Sequence, residues 1–154
     1  MLTGALVALV TPMADNGDVD FLAIDRLVDW HLHEQTQGLV LLGTTGEAAC
    51  LSLAERQDIV TRVVSRVAGR IPVWVGTGTN STLSTIELTS SAKRCGADGA
   101  LVVTPYYNKP TQEGLLQHFS AVAEAVDMPI MLYNVPSRTA VDLLPETVCR
   151  LSAW

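Results

Sequence analysis

The sequence predicts an α/β fold: a parallel sheet buried beneath helices. Short apolar runs alternate with stretches of helical period, at a spacing of roughly thirty residues, which is the size of a βα unit. The runs are unbroken and rich in Val, Leu and Ile, as in strands buried on both faces. Hydrophobic residues make up 48% of the chain and charged residues 17%, enough apolar matter for one well-filled core.

The elements follow in order. Residues 5–10 form a strand that Thr11-Pro12 ends. Residues 21–34 are helical, with Ile24, Leu27, Val28 and Leu32 on one face. A second strand, 39–42, stops at Gly43. Ser52 and Glu55 make a capping box, and Ile59, Val60, Val63, Val64 and Val67 continue that helix until Gly69 closes it. Strand three is 72–75, ended by Gly76-Thr77-Gly78. Helix three is 81–94, with Gly96 as its C-terminal glycine. Strand four is 100–103, and Thr111 caps the helix that follows. Strand five is 130–132, and Pro145-Glu146 suit the first turn of a fifth helix running to the C-terminus.

Five βα units fit two architectures. One is a complete doubly wound open sheet of flavodoxin type. The other is the first five-eighths of a (β/α)8 barrel, which usually takes about 250 residues. Length alone favours the open sheet.

Composition removes several function classes. The formal net charge of −6 offers no basic face to nucleic acid. The N-terminal apolar run stops at Pro12, too short to span a bilayer, and it lacks the basic start of a secretion signal. Cys50, Cys95 and Cys149 are odd in number and far apart, so they read as free thiols in a reducing compartment, here the cytoplasm. His31, His33 and His118 sit on helices without metal-ligand spacing and read as surface or packing residues, so no metal is expected. Gly43-Thr44-Thr45-Gly46-Glu47 lacks the lysine and spacing of a phosphate loop, and no dinucleotide fingerprint is present, so no cofactor is expected.

The chemistry concentrates where strands end. In parallel α/β proteins ligands bind at the C-terminal edge of the sheet. After strand two, Gly43 to Glu47 offers two hydroxyls and flanking amides that can hold a carboxylate, or simply a Gly/Thr turn feeding a helix. Thr104-Pro105-Tyr106-Tyr107-Asn108-Lys109-Pro110 is a stiff aromatic loop; Tyr106 reads as a packing or interface residue, and Tyr107 can reach into a neighbouring site. After strand five, Tyr133-Asn134-Val135-Pro136-Ser137-Arg138-Thr139 reads as a turn that sets a phenol beside a guanidinium. One passes protons and the other clamps a carboxylate. The pair points to proton transfer on a small carboxylic acid.

These three motifs, together with Thr3-Gly4, Val10-Thr11-Pro12-Met13 and Leu143-Leu144-Pro145-Glu146-Thr147-Val148, resemble the dihydrodipicolinate synthase family of pyruvate-dependent class I aldolases. The resemblance covers the whole chain. It implies a (β/α)8 TIM barrel, with residues 1–154 as about its first five βα units in a single domain truncated on its C-terminal side. It implies condensation of pyruvate with aspartate semialdehyde through a lysine Schiff base, in lysine and diaminopimelate synthesis. Thr44 and Thr45 would hold the pyruvate carboxylate, Tyr133 would donate and accept protons, and Arg138 would bind the aldehyde's carboxylate. Tyr107 would complete a Thr44–Tyr107–Tyr133 relay from across a tight dimer interface where Tyr106 packs. The assembly it implies is a homotetramer.

The family's lysine lies at the end of a sixth strand, beyond Trp154. The lysines here, Lys93 on a solvent-facing helix and Lys109 beside the tyrosine loop, lack the apolar pocket that lowers a lysine pKa. Two alternatives remain. One is a related sialic-acid or keto-sugar acid lyase, against which Arg138 and the Tyr106-Tyr107 loop weigh. The other is a truncated, non-catalytic binding or interaction module.

Feedback-inhibited members bind lysine near Asn80 and Tyr106, with an acidic residue where this chain has Ser84 and a histidine where it has Arg56. Without that carboxylate the ligand's ammonium has no counter-charge. Lysine is therefore expected to inhibit the parent enzyme weakly or not at all; near-complete inhibition by submillimolar lysine in a steady-state assay refutes this.

Overall fold

The computed structural model describes residues 3–152. The strands are β1 (Leu6–Ala8), β2 (Gly38–Leu41), β3 (Val73–Gly76), β4 (Gly99–Val103) and β5 (Ile130–Tyr133). The helices are α1 (Phe21–His33), α2 (Leu53–Val67), α3 (Thr82–Arg94), α4 (Gln112–Ala125), α5 (Pro136–Thr139) and α6 (Pro145–Leu151). The five strands pair in the order β1-β2-β3-β4-β5, each parallel to its neighbour. A doubly wound sheet reverses direction at a switch point and so places strands on both sides of the first. No reversal occurs here. The order matches the first five units of a (β/α)8 barrel and excludes the doubly wound open sheet.

Capping sets the helix starts. Asp20 accepts from the Ala23 amide at 2.8 Å, Ser81 caps α3 and Thr111 caps α4. The Ser52–Glu55 box is closed in both directions, with the Ser52 amide donating to Glu55 at 2.8 Å and the Glu55 amide to the Ser52 hydroxyl at 3.3 Å. Gly69 and Gly96 take the left-handed conformation that ends α2 and α3.

Alternation along each strand divides the apolar residues between two faces. Leu39, Leu41, Val73 and Val75 pack with Ile24 and Val28 of α1 and Ile59, Val60 and Val63 of α2. Ala100 and Val102 pack with Leu115 and Phe119 of α4 and with Leu143. Val40 and Trp74, the residues between, are buried outside the first cluster, on the opposite face of the sheet. Gly99 leaves the room that the Trp74 ring occupies.

The sequence reading needs three corrections. Residues 134–139 are not a plain turn: Pro136 starts the one-turn helix α5, so the expected fifth helix is the sixth; it ends at Leu151 with Ser152 as its cap, and residues 153–154 lie outside the described residues. β1 is shorter than 5–10, because Val10 is already half exposed and Pro12 has no amide to pair. A 3₁₀ turn, Ala48–Cys50, precedes α2.

His31 and His118 are buried, as packing residues, and bond Thr36 and Thr82 at 3.0 and 2.9 Å. His33 is exposed. Burial pushes both buried imidazoles below their ordinary value of 6.5. The unfolded chain then takes up protons first as pH falls, so the stability from the neutral imidazoles is present above about 6.5 and lost below it. The melting temperature should therefore drop between about pH 7 and pH 5.5, and less steeply in the H31Q/H118Q variant; equal slopes by thermal denaturation would show that these histidines carry no such linkage.

Candidate functional site

Because all strands run the same way, the loops after β2, β3, β4 and β5 converge on one rim. The loop after β2 is the most constrained. Leu42 and Glu47 hold left-handed backbone, with φ of 55° and 51°. Between them the Gly46 amide donates to the Gly43 carbonyl at 3.1 Å and the Glu47 amide to the Thr44 carbonyl at 3.2 Å. The Thr11 hydroxyl, at the end of the first unit, donates to the Gly46 carbonyl at 2.7 Å. This folding presents Thr44 upward, with its hydroxyl 3.5 Å from the Tyr133 phenol. That is the outer limit of a hydrogen bond, and either oxygen can donate. A substrate oxygen or a water between them would close the gap.

Thr44 and Tyr133 line a cavity of about 250 Å³, which Glu47, Tyr106 and Arg138 also line. Arg138 forms no salt bridge among the described residues. A guanidinium at the mouth of a cavity that also holds two hydroxyls is suited to a carboxylic acid substrate. No group of three His, Cys, Asp or Glu able to hold a metal occurs among the described residues.

The sequence-derived residues thus divide. Thr44, Tyr133, Arg138 and Tyr106 come together. Thr45 is exposed and does not line the cavity. Tyr107 is 88% exposed, with a φ of 70°, and does not line the cavity. Two amides hold its loop: Asn108 donates to the Asn80 carbonyl at 2.7 Å and accepts from the Asn80 amide at 3.4 Å. Lys93 is bound to the Asp127 carbonyl at 2.6 Å on the outside of α3, and Lys109 is exposed beside Tyr107. Neither lysine lines the cavity.

Three further residues shape the site. Arg56 donates to the Ala48 and Leu51 carbonyls at 2.5 and 3.3 Å and so closes the 3₁₀ turn under the cavity. Gly76 and Gly78 act through what they lack. A Cβ at Gly76 would overlap the Leu42 carbonyl, and one at Gly78 would overlap the Val103 amide. The backbones of three successive units meet there without side chains between them. Glycine at a strand end is the sequence signal for such an approach, and the Gly76-Thr77-Gly78 run carries it.

Comparison with known proteins identifies the family and the fold. The model of the dihydrodipicolinate synthetase family matches residues 1–154. A 4-hydroxy-tetrahydrodipicolinate synthase of Pseudomonas savastanoi pv. phaseolicola is 60% identical over 152 residues, covering 99% of this chain and 52% of the relative. The crystal structure of a dihydrodipicolinate synthase from Acinetobacter baumannii, described as chloride inhibited and complexed with pyruvate, superposes with a TM-score of 0.97 at 52% identity, over 99% of this chain and 52% of that one. A structure described as the first monomeric dihydrodipicolinate synthase variant gives 0.94 at 49% identity, over 96% and 49%. The chain spans about half the length of these relatives.

Two glycines of the rim should respond unequally to alanine. Gly43→Ala meets only the Leu101 side chain at 3.9 Å, whereas Gly76→Ala must displace backbone. Gly76→Ala should cost at least about 2 kcal/mol and Gly43→Ala under about 1 kcal/mol by denaturant titration; equal costs would mean that the strand ends have slack.

Proposed function

Since the chain belongs to the dihydrodipicolinate synthetase family, we propose that the protein carrying it is a lyase that condenses pyruvate with aspartate semialdehyde to 4-hydroxy-tetrahydrodipicolinate, in lysine and diaminopimelate biosynthesis. The observation that carries this reading is the Thr44–Tyr133 pair, 3.5 Å apart in one cavity with Arg138. Residues 1–154 contribute to a single barrel domain. The Schiff-base lysine is assigned to the part of the barrel that the relatives have and this chain does not span, since Lys93 and Lys109 lie outside the cavity.

In this reading the residues divide the work. The Thr44 hydroxyl and nearby amides take the pyruvate carboxylate, and Thr45, outside the cavity of this chain, is assigned to the same carboxylate from the side that the rest of the barrel would close. Once pyruvate is bound to the lysine as an imine, loss of a methyl proton gives an enamine, whose carbon attacks the aldehyde. The aldehyde oxygen gains a proton as the new carbon–carbon bond forms. Tyr133 supplies and recovers protons. A phenol has an ordinary pKa of about 10 and is a weak base by itself. Linking it through the Thr44 hydroxyl to a second phenol lets a proton move without leaving an isolated charge. Arg138 holds the aldehyde's own carboxylate and thereby selects a substrate that carries one. The relatives' name as synthases weighs against a keto-sugar acid lyase.

Tyr107 is assigned to the site of a neighbouring copy, so the active unit is a tight homodimer, and two of these form the tetramer. The exposure of Tyr107, Leu53 and Leu83, at 88%, 64% and 66%, supports such a contact. The monomeric variant among the structural neighbours shows that the fold tolerates separate protomers in that protein. The proposed location is the cytoplasm; no helix among the described residues is long and apolar enough to cross a membrane.

Turnover of pyruvate with aspartate semialdehyde, compared with keto-sugar acids, tests the reading. Tyr133→Phe should lower kcat by about 10²-fold or more while leaving the fold intact. Borohydride reduction with pyruvate should trap an adduct on the parent protein outside residues 1–154. An adduct on Lys93 or Lys109 would overturn the assignment.

A further inference from the structure

Among the described residues, the side chain of Asn134 makes the hydrogen bonds that tie the turn carrying Arg138 to the neighbouring segment, while Val141 at the turn's end packs against the cluster of Leu115 and Phe119. Inside the turn, the Arg138 and Thr139 amides donate to the Val135 carbonyl at 2.9 and 3.1 Å, and the Ala140 amide to Pro136 at 2.9 Å. The buried Thr139 hydroxyl bonds the Val135 and Val141 carbonyls at 3.2 and 3.0 Å. All of these close the turn on itself. They fix its shape but not its direction.

A strap of residues 142–144 runs beside the turn and is anchored independently. Gln112, the first residue of α4, donates to the Asp142 carbonyl at 2.7 Å. The same side chain accepts from the Leu144 amide at 3.2 Å and the Thr147 hydroxyl at 2.6 Å. Leu143 is buried in the cluster with Leu115 and Phe119. The strap is thus a fixed wall.

Asn134 joins the two. Its amide nitrogen donates to the Asp142 carboxylate at 2.7 Å and to the Leu143 carbonyl at 3.5 Å, and its oxygen accepts from the Leu143 amide at 3.1 Å. Asn134 directly follows Tyr133, so the pin sits at the base of the loop that begins at the phenol and presents the guanidinium.

We propose that Asn134 is a positioning residue: clamped to Asp142 and Leu143, it sets the place of Arg138 relative to Tyr133 and so the capture of the carboxylate-bearing second substrate. The substrate part of this inference rests on the function proposed above; the structural part does not. The chemistry demands an amide, because the site needs a donor and an acceptor on one planar group. An aspartate of the same shape keeps the acceptor, loses the donor and faces a second carboxylate.

That demand gives a charge-exchange test in the full protein that carries this chain. N134D should raise KM for aspartate semialdehyde about tenfold or more and leave KM for pyruvate within about twofold. D142N keeps an acceptor for Asn134 and should stay near wild type. N134D/D142N exchanges amide and carboxylate and should recover to within about threefold of wild type. Hydrogen exchange at the Arg138, Thr139 and Ala140 amides should be faster in N134D and restored in the exchanged pair, a readout that needs no activity. Unchanged exchange and unchanged KM in N134D overturn the proposal. If N134D does not fold, the exchanged pair decides: protection and KM near wild type support the clamp, and a loss of either refutes it. A wild-type protein with no turnover of these substrates refutes the proposed function alone, and the exchange data still judge the clamp.

Discussion

Every group in the site depends on parallel pairing in strict chain order. That pairing makes each strand end on the same rim, so loops separated by as many as 89 residues, those of Thr44 and Tyr133, face each other. It also has a geometric cost. Five parallel strands that twist and curl toward a barrel bring backbone against backbone at the rim, and the approach is possible only where side chains are missing. Gly76 and Gly78 meet that condition against Leu42 and Val103. The strained Leu42 and Glu47 backbone is the other side of the same compression.

Much of this was legible in the sequence because the signals are local. Capping residues act within one turn, so Ser52 with Glu55, and Thr111, located two helix starts. Continuous Val and Leu runs identified buried strands, because a strand covered on both faces has no polar side to show. The motifs at the ends of strands two, four and five located the rim, and Thr44, Tyr106, Tyr133 and Arg138 do meet at one cavity.

What the sequence hid is relational. Periodicity says that a strand is buried but not which strand it pairs with, and length pointed to the open sheet that the strand order excludes. Pro136 reads as a turn residue from its neighbours alone, yet the Val135 carbonyl accepts from the Arg138 and Thr139 amides and makes it the start of a helix. Asn134 reads as an ordinary turn asparagine, since its three partners lie eight and nine residues on. Thr45 and Tyr107, adjacent to residues at the cavity, do not line it, because one step along a tight loop turns a side chain elsewhere.

The junction at Gly76 bears on how such a protein drifts over generations. Its constraint is one of volume, between two backbones, and any lineage that keeps the rim must keep a glycine there regardless of what the cavity binds. A descendant that changed substrate would retain Gly76 while losing Arg138. Persistence of a glycine at this position would record ancestry of shape, and a search for chemistry by persistence alone would stop at the wrong residue.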